Sequence, residues 1–217
     1  MVKNTLEIYK LIERRNEIME KPKNWDNVKA NTGDYENLKL GAHEVIIKDA
    51  YEYTGMTGNT SLKIEVDISG NDEQKGFYQK QYDENKNSDK KWPNASCKYI
   101  SLKEDDTCLA LFKGFATIIE KSNPGYVWNF DEKTLIGKKL CGVYGLEEYT
   151  DNEGNTKTAT KLVQFRSLDK LSEIKIPKVK LLDGSYMSID DYNEKKEQNN
   201  PIQDFENSVS IDDNFLD

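Results

Sequence analysis

The chain has 217 residues, with 31 Lys or Arg against 39 Asp or Glu, for a formal charge of −8 when its one histidine is neutral. That balance excludes a uniformly basic nucleic-acid coat. The last 32 residues hold nine acids against Lys195 and Lys196, so they carry −7 and leave residues 1–185 at −1.

Residues 5–20 place Ile8, Leu11, Ile12 and Met19 at helical spacing, which predicts an amphipathic N-terminal helix ended by Lys21-Pro22. A polar linker follows to Asn37. From Leu40 the period becomes two, with His43, Val45 and Ile47 on one face. After the turn at 54–59, Leu62, Ile64, Val66 and Ile68 alternate with Lys63, Glu65 and Asp67. Gly76 to Tyr82 reads as a third strand with aromatics on both faces, and 83–96 as a long polar loop containing Trp92-Pro93.

Leu109, Phe112, Phe115, Ala116 and Ile119 take up helical spacing behind Asp105-Asp106-Thr107, and Asn123-Pro124-Gly125 stops the helix. Lys139 to Tyr149 and Thr156 to Arg166 form a closing hairpin. A short capped segment spans Ser188 to Glu197, and the acidic end beyond it is expected to be disordered when free. These elements predict a mainly β, α+β chain whose centre is an OB-like five-stranded Greek-key barrel with an inserted helix. The expected divisions are 1–37 (helix and linker), 38–185 (the barrel) and 186–217 (the acidic tail).

Cys97, Cys108 and Cys141 suggest neither a disulfide framework nor a Cys-x-x-Cys metal site. The chain shows no span of bilayer length and no signal peptide, so a cytoplasmic location and no membrane partner are expected. His43 shares a strand face with apolar residues and reads as structural. No hydrolase elbow, phosphate loop or zinc-protease motif occurs, so neither an enzyme nor a cofactor is expected. Glu65 and Asp67, with Lys63, are the one arrangement that could hold magnesium for nuclease chemistry, and the same pattern is also that of a solvated strand face.

Binding single-stranded DNA needs less, namely positive charge and rings on which bases stack. Twelve Tyr, seven Phe and three Trp supply the rings, many of them beside Lys. Lys80, Tyr82, Trp92, Lys98 and Tyr99 form one candidate DNA-binding group, and Trp128, Lys138, Lys139 and Arg166 a second. Asp212, Asp213 and Phe215 in the tail combine carboxylates with an aromatic anchor suited to a protein partner.

The run Phe112-Lys113-Gly114-Phe115, Ile119 to Tyr126, Trp128, Leu135 to Lys138, Glu147-Glu148-Tyr149, Gly154 and Phe165-Arg166-Ser167 resembles a family of phage proteins from Gram-positive hosts. The likeness spans about residues 38–182. That family is a domain of unknown function, placed in recombination or replication modules and considered similar to single-stranded-DNA-binding proteins. The resemblance implies an OB-like fold, DNA binding in the host cytoplasm and recombination or replication proteins as partners, and it brings no catalytic motif. The tail resembles the acidic tip of bacterial single-stranded-DNA-binding proteins, with Asn214 where Pro is expected and Leu216-Asp217 after Phe215. The alternative expectation is a phage interaction protein that binds a host or recombination protein and no DNA. Self-association into a homo-oligomer is compatible with either.

Overall fold

Alternating apolar residues from Gly41 onward build the longest strand, β1 (Gly41–Thr54), in the computed structural model, which describes residues 21–27 and 36–198. The expected N-terminal helix and tail residues Asp212, Asp213 and Phe215 lie outside those residues. The chain divides into two units, residues 1–36 and 37–217. In the first, a 3-10 turn at Trp25–Asn27 exposes Trp25, and Lys21 pairs with Asp26.

The second unit is α+β. Its seven-stranded sheet comprises β1, β2 (Thr60–Ile68), β3 (Cys97–Ser101), β4 (Lys139–Thr150), β5 (Thr156–Arg166), β6 (Val179–Lys180) and β7 (Tyr186–Met187). The order is β3-β2-β1-β4-β6-β7, and β5 pairs with β4. The strand β1 serves two partners: its first half runs antiparallel to β4 and its second half antiparallel to β2. Among the described residues no ladder joins β3 to β5, so the sheet is open where a closed barrel was expected. At Gly142 on β4 an added Cβ would lie 2.9 Å from Val45 Cγ1, so the approach of β4 to β1 depends on having no side chain there.

The segment expected as a third strand is a helix, α1 (Phe77–Glu84). Gly76 takes φ 74°, a left-handed conformation that suits glycine, and the Tyr78 N–H donates to Asp67 Oδ1 at 3.0 Å. A buried carboxylate brought from β2 to the helix N-terminus offsets its unpaired amides. Only Tyr78 is buried, and Tyr82 lies one turn further along the same side.

The inserted helix forms as expected, as α2 (Asp106–Ser122). The Asp105 side chain accepts from the Cys108 N–H at 2.9 Å, a cap that holds its carboxyl below the usual carboxylate range. At the other end, Asn123 donates to Ile119 O and Lys139 O and accepts from the Lys139 N–H, tying the helix end to the start of β4. Phe115 and Ile119 enter a core shared with Val45, Ile64, Val66, Leu140 and Trp128. The last helix, α3 (Ile189–Gln198), starts at Ser188, whose Oγ accepts from the Asp191 N–H. Its buried Tyr192 donates to Glu148 Oε1 at 3.1 Å. Residues 186–198, grouped with the tail on charge, therefore belong to the folded unit. Among the described residues no helix is long and apolar enough to cross a membrane.

Candidate nucleic-acid interface

The strand β1 carries an extra residue opposite β2: Ile47 faces Val66 and Asp49 faces Glu65, leaving Lys48 as a bulge. Before it His43, Val45 and Ile47 point inward; after it Ala50 does, so the parity of the strand is reversed. The bulge thus turns Tyr51 and Tyr53, which uninterrupted alternation would bury, toward the outer face. On that face Lys63 of β2 stands opposite Tyr51 on one side and Tyr99 of β3 on the other. Tyr53 and Tyr99 are each about two-fifths exposed, and their ring centroids lie 5.6 Å apart at 63°. The Tyr99 hydroxyl donates to Asn94 Oδ1.

Between the rings Lys63 donates to Glu65 Oε1 at 2.7 Å and to the Tyr51 hydroxyl at 2.9 Å. Burial alone would lower this ammonium; its hydrogen bonds to Glu65 and Tyr51 outweigh that and hold it above the ordinary lysine range. The centre of the face is thus a neutral ion pair with tyrosines on both sides. Asp67, further along β2, is buried and caps α1, so the carboxylate pair weighed for magnesium is engaged with Lys63 and with the helix. Among the described residues no group of three or more His, Cys, Asp or Glu could hold a metal. His43 is also engaged, its Nδ1 2.8 Å from Asp72 Oδ2 and its Nε2 2.8 Å from Lys39 O.

A second group adjoins the first. Half-buried Trp92 donates its indole N–H to Ser96 Oγ at 2.7 Å and to Val66 O at 3.1 Å. Its ring lies 5.6 Å from Tyr82, with Lys48 over Trp92 and Lys90 4.4 Å over Tyr82. Residues 92–99 connect this group to Tyr99. Lys80 is exposed on α1. None of Lys48, Lys80, Lys90 and Lys91 has a carboxylate partner among the described residues. Asp83, Glu84 and Asp89 on the same helix and loop keep the local positive surplus small.

The expected contacts at Trp128 and Lys98 need correction, and Lys139 and Lys138 are engaged by neighbouring side chains. Trp128 is 5% exposed, packed against Phe112, Phe115 and Phe130, so no base can stack on it. Lys98 is half-buried and donates to Val163 O at 2.5 Å. Lys139 is held by Glu44 at 2.7 Å, and that bond, with one from Ser69, keeps the Glu44 carboxyl below its usual range. Lys138 lies 4.2 Å over the Tyr126 ring. Arg166 alone of the second expected group is exposed, opposite Cys141 at the end of β5. Tyr51, Tyr53, Lys48 and Lys90 were given no role from the sequence, and Lys63 was considered only beside Glu65 and Asp67; the pairing of Tyr51 with Lys63 across the turn was the one readable signal.

The cysteines follow burial. The Cys97 and Cys141 thiols are each pushed up to about 11 by desolvation, while Cys108 on α2 is half-exposed. Iodoacetamide at pH 8 should therefore alkylate Cys108 alone in the folded protein, and mass spectrometry showing a modified Cys97 would contradict this placement.

Compared with known proteins, the chain matches no family model and no curated sequence.

Proposed function

We propose that this chain is a single-stranded-DNA-binding protein whose bases stack on Tyr53, Tyr99 and the Tyr82/Trp92 pair. The observation that carries this reading is the adjacent pair of exposed tyrosine rings, Tyr53 on β1, turned outward by the Lys48 bulge, and Tyr99 on β3, opposite Lys63. The connectivity also supports it. The order β1-β2-β3-α2-β4-β5, with β1 shared between β2 and β4, would fit an OB-like arrangement left open between its third and fifth strands. In that architecture oligonucleotides lie on the face of strands 2 and 3, where Lys63 and Tyr99 stand. The resemblance read from the sequence of residues 38–182, to a phage family of unknown function placed in recombination or replication modules, would fit this reading, with the host cytoplasm as the setting. The acidic tail would then recruit a protein partner, and no catalysis or cofactor is part of the reading.

Free lysines beside rings, with the central Lys63 neutralised, predict a moderate electrostatic share. If about two to four phosphates are neutralised, the log–log salt dependence should have a slope of about −1.5 to −3. The test is a gel shift of oligo-dT at rising salt, with duplex as competitor. A shift at low salt that duplex does not compete supports the reading, and no shift at low salt contradicts it.

One observation favours the alternative, a protein-binding role without DNA. Phe130 sits at φ 66°, costly for a bulky residue, and is 68% exposed beside Val127 at 80%. The same gel shift separates the two readings.

A further inference from the structure

The edge of the sheet between β3 and β5 has a particular construction. The two strands lie side by side without a ladder. On β5 the pairing passes from Gln164, opposite Val143, to Leu162, opposite Tyr144, so Val163 is a bulge residue. A bulge leaves its extra residue outside the ladder. The Val163 carbonyl accepts from Lys98 Nζ at 2.5 Å, a reach from β3 across the open seam. Lys98 stands opposite Ile64, which is buried, so its stem lies on the inner side of β3; Tyr99, the next residue, is on the outer side. Strand alternation therefore couples the two.

We propose that Lys98 is a positioning residue: its bond to Val163 O clamps β3 to β5 across the open seam and thereby holds Tyr99 on the stacking face. Burial holds the Lys98 ammonium below the ordinary lysine range, with Glu147 opposing that shift and Lys180 adding to it. A methionine in this place would avoid that desolvation cost, so what the lysine contributes is the cross-seam bond. The consequence for DNA rests on the proposed function above; the clamp itself does not.

The test compares the full-length chain with Lys98→Met, Lys98→Gln (too short to span the seam) and Lys98→Arg, in amide hydrogen exchange and in oligo-dT titrations over salt. Loss of a bond from a charged donor should speed exchange of the β3 amides about 10-fold or more in the Met and Gln variants, leave the β1–β4 ladder unchanged, and be restored by Arg. Affinity should fall about 5- to 20-fold with an unchanged salt slope, because no phosphate contact is lost. A slope reduced by about 1 would make Lys98 a phosphate contact and overturn the proposal. Unchanged β3 exchange would overturn it equally. If the unmodified chain binds no oligonucleotide, the functional reading falls, and the exchange data alone decide the clamp.

Discussion

Replacing Tyr99 with Ala is expected to weaken single-stranded oligonucleotide binding by about 5- to 150-fold, since stacking of a base on one ring contributes on the order of 1–3 kcal/mol. The ring is exposed, so its removal leaves no cavity, and the melting temperature should stay nearly constant. Tyr99→Phe keeps the stacking surface and loses only the hydroxyl bond to Asn94, so it should bind almost normally. Fluorescence anisotropy with labelled oligo-dT reads both variants. Unchanged affinity in Tyr99→Ala would remove the ring from the interface.

Replacing Trp128 with Ala should have the opposite profile. The indole is buried against Phe112, Phe115 and Phe130, with ring centroids 5.2–5.8 Å away, and its N–H donates to Asp131 O. Its backbone N–H is taken by Glu120 Oε1, so the loop after α2 is pinned through this residue. Truncating a large buried aromatic costs about 3–5 kcal/mol. Chemical denaturation should show that loss, while the fraction that remains folded binds oligonucleotide with unchanged affinity. A stable variant with weakened binding would return Trp128 to the DNA face.

These two residues show what the sequence could reveal. Trp128 and Tyr99 both read as rings available for stacking, and their hydrophobicity alone does not distinguish them; their burial depends on which elements pack over them. Features set by neighbouring residues were legible. The β1/β2 and β4/β5 hairpins follow from alternation around turns, and α2 from Asp105 at one end and Asn123 at the other. Features set by distant residues were not. The helix α1 depends on Asp67 from another strand, and without that cap Phe77 to Tyr82 reads as alternating aromatics. The outward turn of Tyr51 and Tyr53 depends on one extra residue, Lys48, whose effect appears only in the pairing with β2. Lys98 and Tyr99, taken together as one DNA contact, are separated by strand alternation into an inward clamp and an outward ring. Charge was informative by location: with the acidic end set aside, the body is nearly neutral, and many of its lysines are already paired, as Lys63, Lys139, Lys161 and Lys180 are.

The most direct measurement of the proposed face is photocrosslinking of the full-length chain to an oligonucleotide carrying 5-iodo-deoxyuridine, with the crosslinked peptides identified by mass spectrometry. Crosslinks at Tyr53, Trp92 or Tyr99 are the predicted result. Crosslinks confined to Phe112, Val127 and Phe130, or none at concentrations that saturate a gel shift, would contradict it.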